Sequence, residues 1–292
     1  MRLDLIQKPE ELKELEALLN QCFPVPPGKS FFHDFPVWDP KNAANCHRFG
    51  AFDGDRLLAS LLVRKADVKL GAGMHPIGLI GAVATHDENR GKGLASALVE
   101  AAVDWGETQN LGGLVLWGSE HSLYGRFGFN LMGHQRRVPL SAALARATGS
   151  NLGALEIKNG FVPEIFRLRQ VQPDGLRLIE SDLQWFSKHQ NVVWRSAWRG
   201  SVCTAYAGYG RGIDLPHMVH EWGGDPADAR SLFNVIHQMD PSAELLAPKD
   251  FAKRLGLETG ERGIAESLAL IRPIRLSPDV LDSIWLWGLD AA

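Results

Sequence analysis

The sequence predicts a mixed α/β fold, a mostly antiparallel sheet flanked by helices, arranged as two successive domains of similar layout. Three observations predict it. Two apolar runs joined by a tight polar turn form an early hairpin, a longer apolar run passes through a glycine-rich turn into a helical pattern, and the same order of elements returns in weaker form in the second half.

The elements follow from residue spacing. After Pro9, residues Leu12, Leu15, Leu18, Leu19 and Cys22 mark one face of a helix, which Phe23-Pro24-Val25-Pro26-Pro27-Gly28 ends. The loop from Phe23 to Pro40 is long and aromatic, so Phe31, Phe32, Phe35 and Trp38 suit a lid on the core or the walls of a substrate pocket. His47 to Phe52 and Leu57 to Val63 flank Asp53-Gly54-Asp55-Arg56, a hairpin turn. A further extended piece, Ala66 to Leu70, turns at Gly71-Ala72-Gly73 toward the apolar run Ile77 to Ala84, which reads as a buried strand. The polar turn Thr85 to Arg90 leads into a helix from Lys92 to about Thr108, with Leu94, Leu98, Ala101, Ala102 and Trp105 at helical spacing. A strand at Leu114 to Trp117, a short helix holding Leu123 and Tyr124, and an extended segment from Phe129 to Val138 complete the first half.

The turn Arg90-Gly91-Lys92-Gly93-Leu94-Ala95 carries the chemistry. Glycines lack a Cβ, so backbone N–H groups at Gly91 and Gly93 can close on an anion, and the helix they open adds its partial positive charge. Phosphate is the natural ligand. A nucleotide P-loop needs G-x-x-x-x-G-K-[ST], which Gly-Lys-Gly followed by Leu94 does not supply. A dinucleotide fingerprint over Gly91, Gly93 and Ser96 wants a tight turn straight off a strand in a βαβ unit, whereas a charged turn intervenes here.

The third reading is the pyrophosphate loop of coenzyme A enzymes. Arg90, Gly93 and Ala95 match the pattern [QR]-x-x-G-x-[GA], and Tyr124-Gly125-Arg126-Phe127-Gly128-Phe129 matches a later Y-x-x-[FL]-G-F element, so the chain resembles the GNAT acetyltransferase superfamily. That resemblance implies acetyl-CoA as cosubstrate. It implies that Val83, Ala84 and Thr85 offer backbone groups to the pantetheine arm, and that the N–H groups of Arg90, Gly91, Lys92, Gly93, Leu94, Ala95 and Ser96 surround the pyrophosphate. It also implies that Tyr124 is the general acid for the departing thiolate. The base is left open among Glu120 or His121 after the next strand, His75, His86, His134 and held water. Cysteine is absent from the sequence around both motifs, which favours direct attack of an amine on the thioester.

In the second half, Val202 to Tyr209, Met218 to Trp222 and Glu244 to Ala247 read as strands and Pro226 to Gln238 as a helix. Pro139 to Gly153 reads as the linker, within which Ala142 to Ala147 suit a helical turn, giving domains at 1–150 and 151–292. Gly223-Gly224-Asp225-Pro226 stands where Arg90-Gly91-Lys92-Gly93 stood, and Ala252 where Tyr124 stood. A carboxylate in place of a cation repels phosphate, so the second domain is expected to keep the sheet and not to bind coenzyme A. Six of the nine tryptophans lie there, where packing accounts for them, and Trp285-Leu286-Trp287 reads as a strand.

Composition bounds the rest. A net charge of −3, 45% hydrophobic and 22% charged residues describe a globular protein with no basic field for nucleic acid or for an anionic membrane surface. Cys22, Cys46 and Cys203 are odd in number and far apart, which suits a reducing compartment and supplies no metal-ligand spacing. The charged opening residues and the lack of a long apolar run point to the cytoplasm. The expected activity is transfer of an acetyl group from acetyl-CoA to a small-molecule or protein amine; the rivals are a non-catalytic acyl-CoA sensor and a dinucleotide oxidoreductase. Sheet edges and helices are available for pairing two chains.

Overall fold

The computed structural model describes residues 2–23, 25, 28–42, 45–144, 155–212, 214–257 and 263–290. Packing divides the chain into two units, Met1–Gly133 with Ala269–Ile284, and His134–Leu268 with Trp285–Asp290.

The first unit opens with β1 (Arg2–Leu5), α1 (Pro9–Cys22) and the one-turn α2 (Phe31–Asp34), followed by a 3-10 turn at Pro36–Trp38. Pro9 suits the first turn of α1, where a missing N–H costs nothing, and Glu11 folds back onto the N–H groups of Gln7 and Lys8 at 3.0 and 3.1 Å. Strands β2 (Cys46–Asp53), β3 (Arg56–Leu70) and β4 (Gly73–Thr85) form the expected meander, with Gly54 left-handed at φ 57° in the first turn. The piece Ala66 to Leu70 is not separate. It continues β3, because β4 pairs with that strand from Leu70↔Gly73 to Ala59↔Thr85.

Helix α3 (Leu94–Thr108) begins two residues later than its periodicity suggested, since Gly93, left-handed at φ 81°, is its N-cap. Then come β5 (Gly113–Leu116) and α4 (His121–Gly125). Leu94, Leu98, Val99, Ala102 and Val103 of α3 pack on Ala51, Ala59, Leu61, Val63 and Ile80, while Leu15, Leu18 and Leu19 are buried on α1, which packs on β3 and β4.

The second unit takes β6 (Asn130–Pro139), α5 (Leu140–Leu144), β7 (Leu155–Asn159), α6 (Pro163–Gln170), β8 (Gly175–Leu176) and α7 (Leu183–Phe186). It continues through β9 (Val193–Arg199), β10 (Val202–Tyr209), β11 (Met218–Gly224), α8 (Pro226–Met239), β12 (Glu244–Ala247) and α9 (Phe251–Arg254). Strand β13 (Ile264–Pro273) then delivers its second half to the first unit, ahead of α10 (Pro278–Leu281). The strand order is β1-β2-β3-β4-β5-β13 in the first unit and β6-β12-β11-β10-β9-β7 in the second. In each, a strand from the other half of the sequence closes the ladder: Leu270↔Leu116 beside β5, and Leu245↔Val138 beside β12.

Two expectations change on inspection. Residues 145–153 of the expected linker lie outside the described residues, and its start, Leu140–Leu144, is helical. Trp285-Leu286-Trp287 is not a strand. It is irregular backbone whose three side chains are buried, 4%, 1% and 0% exposed, because it is held by its side chains and single hydrogen bonds and not by a ladder.

Candidate active site

The site starts where a parallel pair stops. β4 pairs with β5 at Gly78↔Leu114, Leu79↔Val115 and Ile80↔Leu116, and β5 ends there while β4 runs on to Thr85. On its other edge β4 stays paired with β3, but the register shifts between Ser60↔Ala84 and Leu62↔Gly81, leaving a bulge. Ala82 sits in that bulge with φ 51°, a left-handed conformation that alanine adopts at a cost. Past Ile80 the strand no longer pairs with β5. Val83, Ala84 and Thr85 thereby form a strand end with one free edge, and Ala84 is 3% exposed.

Beyond it, Asn89 donates to the His86 carbonyl at 2.8 Å and Arg90 to that of Asp87 at 3.2 Å, closing a tight turn. Gly91 and Gly93 follow at φ 76° and 81°, and a Cβ built on either meets no atom within 4 Å. The glycines serve backbone geometry and leave open space above the turn. Gly93 has no side chain to cap α3, so the first-turn N–H groups of Leu94, Ala95 and Ser96 point outward as a helix N-terminus does. Such an uncapped turn has the geometry to accept an anion.

Three cations surround it. Arg90 pairs with Asp87 of its own turn at 2.8 Å, and Lys92 Nζ donates to Asn89 Oδ1 at 2.9 Å. The third, Arg126, lies at the end of α4 and donates from Nη2 to Ser96 Oγ at 3.2 Å. It was not among the expected binding residues, although it falls inside the Tyr124 to Phe129 motif.

Tyr124 lies on α4, 6% exposed, its ring edge-on to Phe129 at 6.1 Å. Burial, and then the Glu120 charge, push its phenol above the ordinary value, so it stays protonated at neutral pH. Gly118 makes room for the ring: a Cβ there would stand 3.0 Å from Tyr124 Cε2. Arg272 of β13 braces the turn beyond by donating to the Phe127 carbonyl at 2.8 Å and to Glu107 at 2.9 Å. Glu120 and His121 are both exposed at the start of α4. His75 is at the far end of β4, ten residues and about 33 Å of strand from Thr85, and is removed from the candidates for base.

One expectation is corrected. Cys22, remote in sequence, ends α1 with Sγ donating to the Thr85 carbonyl at 3.5 Å, so a thiol does stand beside the strand end. The packing of α1 on β4 brings it there, across 63 residues that no local pattern connects.

The second unit has a counterpart with different contents. β11 pairs in parallel with β12 only at Met218↔Glu244 and Val219↔Leu245, shifts register against β10 at the next residue, and runs on to Gly224. At the following turn Asp225 Oδ1 accepts the N–H groups of Ala227 and Asp228, both at 3.0 Å, so a side-chain carboxylate caps α8. The free edge of β11 is taken by the segment Trp285–Asp290. Gly288 donates to the His220 carbonyl at 3.1 Å, Leu289 donates to Glu221 at 2.9 Å, and Trp287 packs edge-on to Trp222 at 5.4 Å. Asp290 fixes the segment: it accepts from Arg169 at 2.6 Å and from the N–H groups of Leu176 and Trp287, both at 3.0 Å. Arg169 also pairs with Glu221 at 3.0 Å, and all three charged groups are buried.

Comparison with known proteins bears on this arrangement. The family model described as acetyltransferase (GNAT) domain matches residues 6–132. No curated protein matches. Among solved structures, a conserved protein from Enterococcus faecalis is similar over 94% of this chain and 72% of its own, at 15% identity and TM-score 0.67. A GCN5-related N-acetyltransferase from Kribbella flavida matches over 94% and 71%, at 16% identity and TM-score 0.64. Eis1 from Mycobacterium abscessus matches over 94% and 73%, at 14% identity and TM-score 0.63. At these identities the likeness is one of fold, and it extends across both halves.

Proposed function

We infer that this chain, whose residues 6–132 match the family model described as acetyltransferase (GNAT) domain, is an acyltransferase with one working site, which transfers an acetyl group from acetyl-CoA to a primary amine. The observation that carries the reading is the pairing of an open, bulged strand end at Val83 to Thr85 with the uncapped glycine turn that begins α3. An extended thioester arm suits the first, a diphosphate the second. Arg90, Lys92 and Arg126 add positive charge at the anion end.

The amine must be neutral to attack. An alkyl ammonium has a pKa of about 10.4, so a proton leaves before the step. The amine nitrogen then bonds to the acetyl carbon, the carbon–sulfur bond breaks, Tyr124 gives its hydroxyl proton to the departing sulfur, and the proton shed by the new amide nitrogen restores the Tyr124 hydroxyl by way of solvent. Glu120 and His121, both exposed at the start of α4, are the candidates to take the proton from the amine.

The second half, from residue 151 onward, is assigned no transfer activity. Asp225 supplies the anion at its helix N-terminus, and Trp285–Asp290 lies along the strand edge that an extended arm would need. Its role is to hold up the fold.

The reading is tested by following thiol release from acetyl-CoA over a panel of amines. Amine-dependent release supports it, and release no faster than without amine opposes it. Cys22→Ala tests direct attack: turnover should stay within about twofold of the parent, whereas an acyl-cysteine route loses activity by orders of magnitude and labels Cys22.

A further inference from the structure

On the face of β2 and β3 turned away from α3, side-chain donors of Arg48 and Ser60 lack a partner among the described residues. Paired residues of neighbouring strands share a face, so Cys46 and Arg64, Arg48 and Leu62, and Gly50 and Ser60 lie on it together. Ser60 is also opposite Ala84, at the open end of β4. The turn Pro36–Trp38 covers this face, since Cys46 Sγ donates to the Val37 carbonyl at 3.5 Å. Ser60 and Trp38 are fully buried and Arg64 is 6% exposed.

Among the described residues, Arg48 Nε and Nη2, Ser60 Oγ and Trp38 Nε1 have no hydrogen-bond partner. Arg48 reaches, among the described residues, only the Cys46 carbonyl, from Nη1, at 3.4 Å. Asp34 and Asp39 are the acidic side chains of the cover. Asp39 accepts from the Lys41 N–H at 2.9 Å and from Asn42 Nδ2 at 3.4 Å, and among the described residues no ion pair joins it to Arg48. Burial pulls the Arg48 guanidinium below its ordinary value, and the Cys46 and Asp39 charges do not restore it. Burying a guanidinium with donors unmet is costly, so a site that keeps one has an oxyanion as its natural complement.

We propose that Arg48 binds an anionic group of the acyl acceptor: the substrate is an amine that also carries a carboxylate or phosphate, with its amine at the Ala84 end of the face and its anion on Arg48. The proposal rests on the reading of the β4 end as the acyl site. From the Ser60 and Ala84 level to the Arg48 and Leu62 level is two residues along the strand, about 7 Å, which favours a short chain between the two groups.

The test is calorimetric titration of the full chain, with and without acetyl-CoA, using glycine, β-alanine, 4-aminobutyrate and 6-aminohexanoate, their amides, 2-aminoethyl phosphate and spermidine. The anionic amines should bind at least about tenfold tighter than their amides, with an optimum inside the series, and the phosphate arm decides between the two oxyanions. Arg48→Met should abolish the preference, with melting temperature and acetyl-CoA affinity unchanged. Should that variant fail to fold, Arg48→Lys carries the test through a partial loss. Equal binding of acids and amides, tighter binding of spermidine, or a preference that survives Arg48→Met would overturn the proposal and leave the buried donors to water. Anionic amines held by Arg48 without any acetyl-CoA binding would instead sink the acyl-site reading, and with it the acceptor role, and leave Arg48 as an anion site alone.

Discussion

Tyr124→Phe lowers kcat by about 10²- to 10⁴-fold and leaves the dissociation constant of acetyl-CoA within about twofold of the parent. The substitution removes one oxygen from a ring that is already 6% exposed and packed on Phe129, so the fold loses little. What it removes is the proton for the thiolate. Because burial and Glu120 hold the phenol above its ordinary value, the parent should keep the acid form of Tyr124 across neutral pH, and the part of the pH profile that belongs to Tyr124 should fall on the alkaline side. Single-turnover kinetics beside equilibrium titration separate the two quantities. An acyl-CoA sensor would show the same affinity and no turnover in parent and variant alike.

Asp290→Ala destabilises the second unit by about 3 to 5 kcal/mol, the usual cost of removing one partner from a buried charge cluster. Arg169 would keep only Glu221, and the N–H groups of Leu176 and Trp287 would lose their acceptor. Chemical denaturation followed by tryptophan fluorescence reads the loss, since Trp222, Trp285 and Trp287 all lie in this unit. A loss below about 1 kcal/mol would mean that the segment is held by its apolar side chains alone.

Glu221 adds a pH dependence to the same cluster. Burial raises its pKa from 4.5 to about 7, with Arg169 opposing and Asp290 reinforcing the shift. The folded state then holds a proton that the unfolded chain has lost, so this contribution is complete below about 4.5 and disappears as pH rises through about 7. Glu221→Gln should flatten that slope, which for one proton is at most about 1.4 kcal/mol per pH unit.

What the sequence made legible was local. Hairpin chemistry at Asp53–Arg56, the apolar run of β4 and the glycine turn into α3 each rest on neighbours in the chain, and each was found where its residues placed it. The strand from Glu244 to Ala247 matched to the residue. Contacts across long separations were not legible. Nothing near Cys22 announces Thr85, and nothing near Trp285 announces that it would lie irregularly against β11, because that segment is fixed by Arg169 and His220 and not by its own pattern. The buried donors at Arg48 and Ser60 were equally silent, since register decides which residues share a face, and register belongs to pairs of strands.

The central claim is one acetyl-CoA site per chain, at the turn that opens α3. Calorimetric titration of acetyl-CoA into the full chain, repeated with Gly93→Val, tests it most directly. The expected result is a stoichiometry of about one and a loss of binding in the variant, because a β-branched residue cannot take φ 81° without strain and its side chain would stand in the open space above the turn where the diphosphate is expected. Two sites per chain, or an affinity untouched by Gly93→Val, would contradict it.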